Sequence, residues 1–341
     1  MIKLSGWIRW VFLGFISLAL TVACTQQPTT TAPDASMSPS APAQSQPLVS
    51  ATNNWVGYSS HHVAVGKDFF TQEGLKIEDL FFQSNSEEIT AFLAGKMDLA
   101  WLTSGDAIQM IDKDPSIKII YLVDYSNGSD GIIGRNINSP QDAKGKTIAR
   151  ENVLFTRVLL QAYLKKGGLT ESDAKVRDMA SAEAATAFAT KQVDLAVTYE
   201  PFMAKAAAQG GGEVIFSTKD TNLIADVVVV RDKLIQSRKQ DLLAYFKAVD
   251  KAAKLLKAND PEALKIAGVK LGVTADEIKS QLEGVKIFDI EGNKTIGFNK
   301  DDPNSLIGNL DLTAKAALEF KIIAKPIPLE SMYDDSIVKS S

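Results

Sequence analysis

The chain contains one helix-turn-strand unit twice. Thr90 to Ala100 reads TAFLAGKMDLA, and Thr186 to Ala196 reads TAFATKQVDLA, identical at six of eleven positions. In each copy Thr-Ala-Phe ends a helix whose aromatic ring packs on a sheet, a polar turn follows, and Asp-Leu-Ala opens a buried strand. A chain that repeats this unit is steered toward two similar α/β lobes. The residues leaving each strand, Trp101 to Ser104 in one and Val197 to Glu200 in the other, then point toward a shared cleft, because open α/β sheets bind ligands beyond the carboxyl ends of their strands.

The rest of the body supports such layering. Short apolar runs at 48–53, 75–82, 98–102, 117–123, 147–149, 175–179, 194–198, 213–216 and 226–230 read as strands. Helical patterns at 60–72, 87–94, 155–166 and 182–191 lie between them, which argues for an α/β architecture. Beyond Arg231 the character turns helical. Leu242, Leu243, Phe246, Val249, Ala252, Ala253 and Leu256 recur at helical spacing, and Pro261 and Thr274 stand where two further helices would start.

The N-terminus is a separate piece. Lys3 and Arg9 precede an apolar run ending at Ala23, a signal-peptide layout too short for a membrane span. Cys24, the sole cysteine, stands at its end in a setting that resembles a bacterial lipobox, which implies lipidation there after residues 1–23 are removed. Residues 24–47 are rich in Pro, Thr, Ser, Gln and Ala and read as a disordered tether. Without 1–23, 35 Lys and Arg face 41 Asp and Glu, a net charge of −6, which gives no basic field for nucleic acid.

Several motifs over about residues 50–290 carry a family resemblance. They are WVGY at Trp55, VAVGKDFFTQEGL at Val63, LAGKMDLAW at Leu93, SPQDAKGKTIA at Ser139, QVDLAVTYEPF at Gln192 and IADVVVV at Ile224. In this order they resemble the solute-binding proteins of bacterial ABC importers, in the group that includes nitrate, taurine, alkanesulfonate and pyrimidine-precursor binders. The resemblance implies a two-lobed periplasmic-binding-protein-like fold of type II with the cleft between the lobes. Lobe 1 would take 48–132 and 231–341, and lobe 2 would take 133–230. It also implies hinge closure on a small molecule and delivery to a permease and its ATPase by a monomer that is lipid-anchored outside the cytoplasm, without catalysis or cofactor.

The residues argue against catalysis independently. His61 and His62 are the only histidines and Cys24 the only cysteine, so Cys/His chemistry and a multi-histidine metal site have no basis. Gly145-Lys146-Thr147 fails as a phosphate loop because Pro140 stands where a glycine is required. An exported relative of the pyrimidine-precursor synthases, or a structural lipoprotein, remains as an alternative. Position in the expected fold assigns Trp55, Tyr58, Ser59, His61, Trp101, Thr103, Ser104 and Asp124 to the cleft from lobe 1. From lobe 2 come Glu151, Asn152, Phe155, Tyr199, Glu200 and Asp226. Aromatic rings with several carboxylates suit a planar or cationic nitrogen compound, whereas free amides at helix starts would suit a sulfonate or nitrate.

Overall fold

The computed structural model describes residues 46–219 and 223–341. The expected signal segment, Cys24 and nearly all of the expected tether lie outside them. Eleven strands form two sheets: β1 (Leu48–Thr52), β2 (Ile77–Phe81), β3 (Leu99–Thr103), β4 (Ile117–Ser126), β5 (Asp130–Gly134), β6 (Thr147–Arg150), β7 (Lys175–Asp178), β8 (Leu195–Tyr199), β9 (Glu213–Ser217), β10 (Ala225–Arg231) and β11 (Val285–Ile287). The first sheet runs β11-β4-β10-β3-β1-β2 and the second β7-β6-β8-β5-β9.

The two sheets share a plan. In the first, β1 is parallel to β2 and β3, and β10 enters antiparallel between β3 and β4. In the second, β6 is parallel to β7 and β8, and β5 enters antiparallel between β8 and β9. Each antiparallel strand is the one the chain forms on arriving from the other lobe. The expected boundaries at 132/133 and 230/231 therefore misassign both strands: β5 belongs to the second sheet, and β10, with Asp226, to the first. β5 begins the second lobe and β10 is internal to the first sheet, where it is almost wholly buried.

The repeated letters specify this plan. Helix Asn85–Leu93 leads into β3 and helix Ser181–Ala189 into β8, with Phe92 and Phe188 fully buried beneath them. The aspartate of each copy ties its turn to the neighbouring parallel strand: Val49 N–H donates to Asp98 at 2.9 Å, and Thr147 N–H donates to Asp194 at 2.9 Å. Each phenylalanine also carries an arginine on its face, Arg231 over Phe92 and Arg135 over Phe188, both at 4.7 Å.

β5 was not expected, and its composition explains why. Asp-Gly-Ile-Ile-Gly is short and glycine-bounded, yet a Cβ on Gly131 would lie 2.6 Å from the Met203 sulfur and 2.8 Å from the Phe216 carbonyl oxygen, so packing requires glycine in the strand. β11, three residues on the edge, was also not expected. The single helix expected at 60–72 is two, Ser59–Gly66 and Phe69–Gln72, broken at Asp68 with φ 54°. Helices Lys239–Lys257, Pro261–Leu271 and Ala275–Leu282 follow, and Gly268 lies inside the second of these because a Cβ there would meet the Val273 carbonyl oxygen at 2.6 Å.

Candidate functional site

The lobes meet at the carboxyl ends of their parallel strands, as the switch-point rule requires. A cavity of about 10 Å³ lies there, lined by Asn53, Trp55, Tyr58, Asn85, Thr103, Asp130, Phe155, Tyr199 and Asp226. None of these nine is basic. Its size is that of a single water.

The shared plan puts one aspartate from each lobe at equivalent positions. Asp226, second residue of β10, lies opposite Thr103 at the end of β3, and Asp130 starts β5 opposite Tyr199 at the end of β8. Both are buried, and burial together with the other's charge pushes the Asp130 carboxyl well above its ordinary range. The Tyr58 hydroxyl donates to Asp226 at 2.7 Å. Asp124 lies across from Asp226 in the sheet, accepts the Trp55 indole N–H at 3.2 Å, and leaves its other oxygen without a hydrogen-bond partner. Burial and the Asp226 charge raise Asp124 strongly, and burial raises Asp226 to about 7.

Glu88 and Asp106 stand close behind. Asn53 donates to Glu88 at 2.8 Å, yet burial lifts this carboxyl to about 8. Burial also lifts Asp106 to about 7, and one of its oxygens accepts the Leu154 N–H at 3.2 Å while the other is unpartnered. Four rings wall the cavity. Tyr199 sits edge-on to Trp55 at 5.8 Å and tilted to Phe155 at 6.2 Å, with its hydroxyl buried and unpartnered.

Glu151 bridges the lobes. One oxygen accepts from Ser86 N–H at 2.9 Å and Ser86 Oγ at 2.8 Å, and the other accepts from Ser181 N–H at 3.3 Å and Ser181 Oγ at 3.0 Å. Both serines stand at helix starts, one in each lobe.

Of the residues assigned from sequence, Trp55, Tyr58, Thr103, Phe155, Tyr199 and Asp226 line the cavity; Asp124 bonds its wall at Trp55, and Glu151 bonds Ser86, next in the chain to the lining Asn85. Others lie elsewhere. Trp101 is core, its indole donating to the Tyr245 hydroxyl at 2.9 Å, because its place within β3 turns it away from the cleft. His61 points the same way, with its ring nitrogens at the Tyr245 hydroxyl, 2.8 Å, and Asp79, 3.1 Å. The Ser59 hydroxyl donates to the Val56 carbonyl within its own turn. Asn152 is exposed and holds Arg150, whose guanidinium also pairs outward with Asp178 at 3.0 Å. Glu200 faces a groove on the crossing side with Asn127, Lys205 and Gln281. Ser104 bonds Asn309 at 2.8 Å in an adjoining, mainly apolar pocket of about 80 Å³ that shares Thr103 and Phe155 with the acidic cavity.

Asn53, Asn85, Glu88, Asp106 and Asp130 were not singled out from sequence. Asp130 has a signal in hindsight: it precedes Gly-Ile-Ile-Gly-Arg as Asp226 precedes Val-Val-Val-Val-Arg, and each arginine lies over a repeat phenylalanine.

The NMT1/THI5-like family model matches residues 58–263, more than half of the chain. The chain belongs to this family. A Bacillus subtilis (strain 168) protein provisionally named an aliphatic sulfonates-binding protein is 23% identical over 280 residues, 81% of each chain. The alkanesulfonate-binding protein SsuA from Xanthomonas axonopodis pv. citri, solved bound to MOPS, superposes with TM-score 0.71 at 16% identity, covering 85% of this chain and 99% of that one. The nitrate-binding protein NrtA from Synechocystis PCC 6803 superposes with TM-score 0.66 at 14% identity, covering 86% and 87%. At such identities the likeness shows the fold, the periplasmic-binding-protein architecture of two α/β lobes. The same fold also serves the desulfurization enzyme DSZB, TM-score 0.65 at 13% identity over 87% of this NMT1/THI5-like chain and 98% of DSZB.

Proposed function

We propose that this NMT1/THI5-like protein is the solute-binding component of an ABC importer, and that its solute is a small planar nitrogen cation of the guanidinium or protonated-pyrimidine type. The observation that carries the choice of solute is the cavity wall: an aspartate from each lobe, Asp130 and Asp226, with Asp124 beside them, four aromatic rings and no basic side chain. Carboxylates gathered away from water repel one another, so their neighbourhood favours a cation that neutralises them. Flat rings add cation–π attraction, worth more where water is excluded. A cation held between one carboxylate of each lobe makes closure part of binding.

Binding without catalysis accords with the family and with a lining that offers neither cysteine nor histidine. Export behind the 1–23 signal, anchoring through Cys24 on the 24–47 tether, and hand-over to a membrane permease complete the reading. Among the described residues no helix is long and apolar enough to cross a membrane.

An aliphatic sulfonate is the second reading, favoured by the names of the relatives and by the apolar pocket of about 80 Å³ next to the acidic cavity. Thermal denaturation against guanidinium, methylguanidinium, aminopyrimidines, taurine, methanesulfonate and nitrate separates the two. The cations are expected to raise Tm saturably, by the equivalent of about 2.7 kcal/mol at 100 times the dissociation constant, with the anions silent. A response to the sulfonates without one to the cations overturns the choice.

A further inference from the structure

Two helix starts that face each other across the cleft would ordinarily form an anion site, since their unpaired amides and dipoles favour negative charge. Here that place is filled from within the chain. The Glu151 carboxylate receives four donors, an amide and a hydroxyl from Ser86 on the first lobe and the same pair from Ser181 on the second, all between 2.8 and 3.3 Å. It is 2% exposed, and the Thr156 hydroxyl donates to its own carbonyl at 2.5 Å, which fixes the backbone it stands on.

We infer that Glu151 is an internal anion that latches the lobes and determines specificity by barring oxyanions. The division of its oxygens is what makes it a latch. Oε2 bonds within the second lobe and holds the side chain in place, so only the Oε1 pair to Ser86 spans the lobes and must break when they part. Specificity follows from the same contacts. A free sulfonate or nitrate could reach these donors only by displacing a tethered carboxylate of like charge, whose local concentration no dilute solute matches. This deepens the cation reading without depending on it, because it concerns what the site refuses.

Glu151→Ala removes the carboxylate and leaves the donors, so small anions should replace it. Formate, acetate and nitrate are titrated against the purified wild-type chain and the variant, with chloride at matched ionic strength as control and Tm as readout. The expected result is a saturable formate-dependent recovery of several degrees in Glu151→Ala, with an apparent affinity at least about tenfold above any wild-type response. Adding Ser86→Ala to Glu151→Ala should weaken that rescue. Equal responses of wild type and Glu151→Ala to formate, or none in either, overturn the proposal.

If Glu151→Ala does not fold, Glu151→Gln decides. It keeps the shape but turns an NH₂ toward one pair of donors, so small-angle scattering should show a more open particle than wild type. Wild-type compactness in Glu151→Gln overturns the latch. None of these readouts uses the native solute, so a failed cation panel and a failed latch are separate results.

Discussion

At the scale of single residues the site is an arrangement of buried carboxylates whose hold on protons burial strengthens. Asp226 is held by the Tyr58 hydroxyl and Asp130 faces it from the other lobe. Asp226→Asn and Asp130→Asn keep shape and remove charge, so each is expected to cost about tenfold or more in affinity for guanidinium, by isothermal titration, while the empty protein is unchanged or slightly stabilised. Gly57→Ala tests the other wall. A Cβ there would lie 2.1 Å from Asp124 Oδ2 and 2.3 Å from Trp55 Nε1, so the pair must move, and lost binding with retained far-UV circular dichroism is expected. Sequence reasoning brought Trp55, Tyr58, Tyr199 and Asp226 to the cavity, with Asp124 beside it, because strand ends can be read from hydrophobic runs. It misplaced Trp101 and His61 because the face a side chain takes within β3 or the first helix turn depends on register, which a run fixes only to within a residue. Glu88 escaped notice because it lies inside the helical pattern at 87–94, where an acidic residue ordinarily faces water, and Asp106 because its helix, Ser104–Lys113, was not read from sequence.

At the scale of elements the repeated unit has a physical reason for each shared letter. The phenylalanine fills the space under its helix, and the aspartate anchors the turn to the next strand through a charge-assisted bond at 2.9 Å in both lobes. A hydrogen bond from a backbone N–H to a carboxylate contributes about 1.5–3 kcal/mol. Asp98→Ala and Asp194→Ala are each expected to lower stability by about that amount in denaturant titration while leaving solute affinity within about twofold, since neither side chain reaches the cavity. A large affinity loss at constant stability would place the turn in the site instead of the scaffold. The unit was legible in the sequence because its letters recur together in two copies, although the bond each aspartate makes reaches a strand 49 or 47 residues away. β5 was not, because its glycines are required by Met203 and the β9 backbone, partners distant in sequence that no local pattern announces.

At the scale of the whole molecule the buried carboxylates couple solute binding to pH, and the sign can be worked out. Glu88, Asp106 and Asp226 titrate at about 8, about 7 and about 7 in the folded protein, raised by burial, whereas unfolded carboxylates titrate near about 4. Between these limits the folded state binds more protons than the unfolded one, so the slope of unfolding free energy with pH is negative. Their contribution to stability is therefore fully present near about pH 4 and is lost as pH rises through about 7 to 8. A cation has the opposite preference, for the deprotonated carboxylates, so its affinity should rise over the same interval, by up to about tenfold per pH unit for each proton released. Expected, then, is an empty protein whose Tm falls from about pH 6 to about pH 9 while the increment added by guanidinium grows. Titration calorimetry in two buffers of different ionisation enthalpy should show net proton release near neutrality. An increment that is flat or shrinks with pH would mean that no buried carboxylate loses its proton to the solute, and the acidic wall would then be structural. An anionic solute would draw protons in and give uptake, so the sign of the buffer dependence alone distinguishes the two classes of solute before the molecule itself is identified.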